Sequence, residues 1–197
     1  MSGAPRRAPP HEVRIIGGQW KRSKLPVPDA PGLRPTPDRV RETVFNWLGQ
    51  DLDGWRCLDA FAGSGALGFE AASRGASQVV LVERDASLVR RLRESQQRLK
   101  AQALTVEAAD ALAFMRRSAP RSFELVLLDP PFDAGLCDPA LQAAAPLVVP
   151  DGFVYLEAAR PVDAAAAAAL GLRVHRQGRA GSVHFHLLQR SSEACTD

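Results

Sequence analysis

Asp129-Pro130-Pro131-Phe132 is the segment of this chain whose residue types point most directly to chemistry. Two consecutive prolines fix two backbone angles and remove two N–H donors, leaving oxygens that can only accept hydrogen bonds. Such a platform suits an amino group on an aromatic ring, whose nitrogen lone pair is delocalised and poorly nucleophilic. With one N–H held by the Asp129 carboxylate and the other by the Pro130 carbonyl, the lone pair is turned toward an electrophile. The same carboxylate steadies the positive charge that develops on nitrogen. Phe132 offers a face on which an extruded base would stack. The proton released afterwards can pass to Asp129 or to water, so neither a separate general base nor a metal is demanded.

A second segment, Asp59-Ala60-Phe61-Ala62-Gly63-Ser64-Gly65-Ala66-Leu67-Gly68, has the glycine spacing of a strand-to-helix loop whose backbone closely approaches a ligand. Gly63, Gly65 and Gly68 fit the dinucleotide fingerprint, and Glu83 lies about 20 residues onward, so a nicotinamide-dependent oxidoreductase is a competing reading. Asp59 separates the two. A carboxylate is poorly placed beside a pyrophosphate but well placed for a ligand with a cationic end, and S-adenosylmethionine carries both an ammonium and a sulfonium. Glu83 would accept from the ribose hydroxyls, and Asp110 from the adenine amino group. Phe61, Ser64, Arg84 and Ala111 complete the expected cofactor-binding set. An S-adenosylmethionine-dependent methyl transfer to an exocyclic amine unites both segments.

The elements that must position these residues are legible in the hydrophobic pattern. Strands are expected at 56–60, 78–82, 104–107, 123–128 and 152–157, with helices at 64–73, 86–100, 111–116, 139–146 and 164–169. This alternation implies a parallel sheet covered on both faces, with the run 125–128 at its centre. The runs 173–176 and 183–189 read as a closing antiparallel pair. Ahead of the first of these strands, 13–16 and 19–25 suggest a hairpin turning at Gly17-Gly18. A proline-punctuated stretch with Pro26, Pro28, Pro31, Pro35 and Pro37 follows, then a helix from Asp38 to about Gly49, with Thr36 or Asp38 as its N-cap. Residues 1–12 are expected to be a disordered lead, 13–37 a basic arm and loop, 38–190 the main domain and 191–197 a disordered tail.

Charge is unevenly spread. Residues 1–48 hold nine Lys/Arg against four Asp/Glu, whereas the remaining residues are close to neutral, so an electrostatic footprint for phosphates is expected at the N-terminal end. That footprint also allows a non-catalytic RNA-binding or assembly factor. Three widely spaced cysteines fit neither a disulfide framework nor a zinc site, and no run approaches the ~20 apolar residues of a membrane span, so a cytoplasmic protein is expected. Cys57 is read as a core residue, and Arg90, Arg91 and Arg93 as a solvated face opposite Leu88, Leu92 and Leu99. His184 and His186 share a strand face without a third ligand, which favours packing over metal binding.

Taken in order, 14–20 (Arg-Ile-Ile-Gly-Gly-Gln-Trp), 32–48 (Gly-Leu-Arg-Pro-Thr-Pro-Asp-Arg-Val-Arg-Glu-Thr-Val-Phe-Asn-Trp-Leu), the 59–68 loop and Asp129 to Phe132 resemble the bacterial small-subunit ribosomal RNA guanine-N2 methyltransferases of the RsmD family. The resemblance covers about 13–190. The last two motifs are shared with other amino-group methyltransferases, DNA adenine enzymes included, so the N-terminal blocks carry the substrate class. The resemblance implies a Rossmann-like class I methyltransferase fold, a mostly parallel seven-stranded sheet with a C-terminal antiparallel hairpin and a small N-terminal hairpin arm. It also implies S-adenosylmethionine as cofactor and, as substrate, a guanine N2 of 16S rRNA within the small ribosomal subunit or its assembly intermediate. A monomer is expected, without membrane or metal. Arg14, Trp20, Lys21, Arg22 and Lys24 would then contact RNA, while Arg34, Thr36 and Arg39 would border the active site.

Overall fold

The computed structural model describes residues 11–27, 36–131 and 135–192. Its central sheet contains β3 (Arg56–Asp59), β4 (Gln78–Glu83), β5 (Leu104–Ala108), β6 (Phe123–Leu128), β7 (Val148–Ala158), β8 (Leu172–Ala180) and β9 (Val183–Arg190), numbered after a two-stranded arm. The strand order is β5-β4-β3-β6-β7-β9-β8, parallel through the first five and antiparallel at β7–β9 and β9–β8. Helices α2 (Ala66–Ser73), α3 (Ala86–Leu99), α4 (Ala111–Arg117), α5 (Cys137–Ala144) and α6 (Ala164–Ala169) connect the strands. Alternation builds the core. Val79, Leu81, Leu125 and Leu127 point to one face and pack with α1 (Asp38–Trp47) and α2, while Val80, Val82, Val126 and Leu128 point to the other and pack with α4 and α5. Leu125 to Leu128 are fully buried, as a central strand requires.

The parallel sheet, its closing hairpin and the six helices follow the sequence expectation, with small boundary differences. α2 starts at Ala66 because Gly65, its N-cap, sits at φ 79° and keeps the preceding residues in the loop. α1 starts as expected, but neither Thr36 nor Asp38 caps it. The N-cap is Pro37, Asp38 instead pairs with Arg41 at 2.7 Å, and the Thr36 hydroxyl turns toward two carboxylates. His186 is buried and accepts from the Val162 N–H at 3.2 Å, a packing role that ties down the chain after β7.

The arm departs further from the pattern. Its strands are β1 (His11–Arg14) and β2 (Lys24–Val27), paired antiparallel with Arg14 opposite Lys24, so ordered structure begins inside the stretch expected to be a disordered lead. Gly17-Gly18 is not the hairpin turn. The Ile16 and Gly17 N–H groups each donate to the Glu70 carboxylate at 2.8 Å, and the Gln19 N–H donates to the Ser73 carbonyl at 2.8 Å. These bonds to α2 replace ladder bonds, which is why the strands separate. A Cβ on Gly18 would lie 1.7 Å from the Ser73 carbonyl oxygen, and its φ is +73°. Gly18→Ala is therefore expected to cost about 1–3 kcal/mol, read as a lowered melting temperature, whereas a hairpin-tip glycine would tolerate the change.

Candidate active site

The chain leaves β3 toward β4 and later returns on its other side as β6, so the carboxyl ends of β3 and β6 flank a topological switch point. Register places Asp59 beside Leu127, and Asp129 emerges two residues further along the neighbouring strand. The loop after β3 is held by its own backbone. Ala62 donates to the Val82 carbonyl at 3.0 Å, Gly65 donates to Ala62 at 2.6 Å, and Gly63 (φ 53°) donates to Glu83 Oε2 at 3.0 Å.

Asp59 is 1% exposed, and its Oδ2 accepts the Gly68 N–H at 2.9 Å. One oxygen of this carboxylate is thus committed to the loop. Burial, helped by the Glu83 charge, pushes its pKa up to about 7, against the lowering effect of the Gly68 and Phe61 N–H groups. A carboxyl raised on folding holds its proton in the native state over a range where the unfolded chain has lost it. Stability should thus fall as pH rises from near the ordinary value of 3.8 to about 7, then level off. Asp59→Asn is expected to make that slope shallower in melts taken across this range, the remainder coming from the other raised carboxyls, Asp129 and Glu157.

The two further carboxylates stand at the ends of the next strands, as expected, each with backbone work of its own. Glu83 Oε1 accepts from the Arg84 and Asp85 N–H groups at 2.8 and 2.9 Å. Asp110 is exposed and caps α4 by accepting from Ala113 at 2.9 Å, with Ala111 buried behind it. Phe61 packs against the second core, Ser64 is half-buried in the loop, and Arg84 is exposed.

Across the switch point, Asp129 is half-buried, Pro130 buried and Pro131 exposed, while Phe132 lies outside the described residues. The Thr36 hydroxyl stands 3.4 Å from Asp129 Oδ2 and 2.5 Å from Glu157 Oε1, and the Tyr155 hydroxyl donates to that same Glu157 oxygen at 2.9 Å. Burial raises the pKa of both carboxyls, and at Asp129 the charges of Glu157 and Asp59 add to it, while the Thr36 and Tyr155 hydroxyls pull Glu157 the other way. Neither Glu157 nor Tyr155 was anticipated. The only signal was an acidic residue ending an otherwise apolar strand, and its meaning depends on the pairing of Leu128 with Leu156, which makes Asp129 and Glu157 neighbouring strand ends.

Of the basic residues singled out, Arg14, Lys21, Arg22, Lys24 and Arg39 are exposed, Lys24 is paired with Glu12 at 2.6 Å, and Arg34 lies outside the described residues. Trp20 is half-buried and packs against the main core, so part of its ring anchors the arm. A second basic edge went unnoticed in the sequence. Ala158, His184 and Arg179 align across β7, β9 and β8, so the β8–β9 tip shares the sheet edge with Asp129, and Arg176 and Arg179 are exposed there.

The chain matches the family model described as "Conserved hypothetical protein 95" over residues 13–189. It is 41% identical over 192 residues to "Ribosomal RNA small subunit methyltransferase D" of Escherichia coli (strain K12), covering 94% of each chain. The protein of the same name from Haemophilus influenzae is 42% identical over 151 residues, covering 74% of this chain and 78% of its own. Among solved structures, the Escherichia coli chain yhhF, provisionally named a methyltransferase, superposes with a TM-score of 0.79 at 37% identity, covering 93% of this chain and all of its own.

Proposed function

The chain belongs to the ribosomal RNA small subunit methyltransferase D family, a family of rRNA methyltransferases, and from that premise we propose that it methylates the N2 amine of a specific guanine in 16S rRNA, using S-adenosylmethionine. The observation that carries the chemistry is the apposition of the 59–68 loop and Asp129-Pro130-Pro131 across one switch point, while the choice of rRNA rests on the relatives and on the N-terminal blocks.

The residues around the loop fit this cofactor. Asp59 is a buried carboxylate whose ionisation is opposed by burial and by Glu83, so a cationic ligand end brought near it relieves that penalty. Gly65 leaves no room for a side chain, since a Cβ there would lie 2.7 Å from both Leu92 and Phe69, and this keeps bare backbone on the turn. Gly63, Ser64 and Gly65 would line the methionine part, Glu83 and Arg84 the ribose, and Asp110 and Ala111 the adenine. When bound, the cofactor supplies an electrophilic methyl group on sulfur.

The chain's own residues do the rest. Asp129 and the Pro130 carbonyl accept the two N–H groups of the target amine and set the direction of its lone pair. The Asp129 charge stabilises the nitrogen as it becomes positive, and the carboxylate then takes the proton that nitrogen sheds. Phe132 would stack on the extruded base. Arg14, Lys21, Arg22 and Lys24 on one side and Arg176 and Arg179 on the other offer cations to phosphates around the cleft. The substrate would be met in the cytoplasm, on the small subunit or its assembly intermediate, and among the described residues no helix is long and apolar enough to cross a membrane.

The deciding experiment supplies the purified protein with labelled S-adenosylmethionine and either unmodified small subunits or unmethylated DNA, then maps the label. Methylation of one guanine N2 is expected. Label on adenine N6 of DNA would move the substrate to the DNA-enzyme variant, and calorimetry showing tight binding of NAD alone would restore the oxidoreductase.

A further inference from the structure

Thr36 stands between two carboxyl groups, and it has only one proton to give. Its hydroxyl is 2.5 Å from Glu157 Oε1 and 3.4 Å from Asp129 Oδ2. Both contacts are hydrogen bonds at once only if one of the two carboxyls carries a proton of its own and donates it to the Thr36 oxygen. Tyr155 donates to Glu157 at 2.9 Å from the far side and completes the chain. The four groups therefore form a line, Tyr155, Glu157, Thr36 and Asp129, which closes with one extra proton and in either direction.

On the methyl-transfer reading given above, we propose that Asp129 and Glu157 hold one proton between them through Thr36, and that Glu157 carries it whenever an amine docks on Asp129. The amine needs acceptors, and a protonated Asp129 would present a donor. When its N–H approaches, the Asp129 O–H bond breaks as a Thr36 O–H bond forms, while the original Thr36 O–H breaks and a Glu157 O–H forms. No proton enters or leaves the site. Glu157 is thus a positioning residue that keeps Asp129 an acceptor.

Surroundings agree with one shared proton. Glu157 is 4% exposed, burial raises both carboxyls, and the Glu157 charge raises Asp129 further. Asp59 faces Asp129 from β3 and adds negative charge, so full ionisation of the cluster is opposed from that side also. Tyr155, raised by burial, stays a neutral donor. From α5, the Cys137 thiol reaches the Glu157 carbonyl at 3.9 Å, and its own pKa is raised, so it too stays neutral. The relay is set from the N-terminal side, where Arg41 Nε donates to the Thr36 carbonyl at 3.3 Å.

The test is carboxyl-carbon NMR across pH on the full-length protein without cofactor, joined to the pH dependence of kcat. In the wild type, Asp129 and Glu157 should titrate as a linked pair. In Glu157→Gln the Asp129 midpoint should fall by about one pH unit or more, because both the shared proton and the opposing charge are gone. Thr36→Val should turn the linked pair into two separate titrations. Glutamine imitates the protonated Glu157, so kcat in Glu157→Gln should stay within about tenfold of wild type with its acid limb moved to lower pH, whereas Glu157→Ala should lose about 100-fold. An Asp129 titration unmoved by Glu157→Gln overturns the proposal, as does a Glu157→Gln loss equal to that of Asp129→Ala. The NMR readout does not depend on methyl transfer, so failure of the functional reading would show separately as absent transfer to small subunits with the titrations intact.

Discussion

Asp129→Ala should lower kcat by about 10²- to 10³-fold while leaving cofactor affinity within about threefold. On the mechanism proposed above, the substitution removes one of the two acceptors for the target amine and the only negative charge on the 129–131 segment. The Gly63–Gly65 turn, Glu83 and Asp110 are held by bonds that do not involve Asp129, so the cofactor side keeps its shape. Stability should respond in the opposite sense. Asp129 is a carboxyl whose ionisation is opposed by burial and by Glu157, and its removal relieves that repulsion. The melting temperature near neutral pH should therefore hold or rise while activity collapses. Single-turnover transfer and thermal melts on one preparation check both halves, and a variant that lost activity by unfolding would show the reverse melt.

Glu70→Ala is expected to be the most destabilising single change in the described part of the molecule. Glu70 has no exposed surface, and its carboxylate accepts from Arg41 at 3.2 Å, Arg74 at 2.9 Å, and the Ile16 and Gly17 N–H groups at 2.8 Å. Truncation leaves the Arg41 and Arg74 side chains, 0% and 6% exposed, without that counter-charge and strands two backbone donors. Breaking such a buried pair costs about 3–5 kcal/mol, or roughly a 10 °C fall in melting temperature for a chain of this size. Glu70→Gln, which keeps acceptors and shape, should cost less than Glu70→Ala. Activity should fall along with stability, since Arg41 also holds the Thr36 carbonyl and thereby the hydroxyl between Asp129 and Glu157. A melt of Glu70→Ala within about 2 °C of wild type would mean that the arm is anchored by apolar contacts such as those of Ile15 and Leu25.

Most of the sheet could be read from the chain because its signals are local. Residues 123–128 form one unbroken apolar run, and the structure makes them β6 with the same limits. The six-alanine stretch at 164–169 has only its helix propensity to recommend it, and it is α6. Errors fell where a tertiary bond competed with a local preference. Gly17-Gly18 looks like a turn in sequence, yet the backbone there is spent on Glu70 and Ser73, and glycine is needed for close approach to α2. Trp20 sits among cations in sequence, and the same docking packs it, half-buried, against the core. Arg41, a charged residue on α1, is among the described residues the largest fully buried side chain, which nothing local to the chain signals.

Residue type and spacing were enough to determine the alternating strand-helix order, the glycine loop that follows Asp59, and the place of Asp129-Pro130-Pro131 at the end of an apolar strand, because each depends only on neighbours in the chain. Which carboxylates share a site was decided by the sheet. Asp129 and Glu157 are 28 positions apart, and parallel pairing of β6 with β7 makes them adjacent. Thr36, separated from Glu157 by 121 positions, reaches both because Arg41 holds its carbonyl and α1 packs over the sheet. A carboxylate's charge state follows from burial and from the other charges that folding brings near it, so the shifts at Asp59, Asp129 and Glu157 belong to the tertiary structure alone.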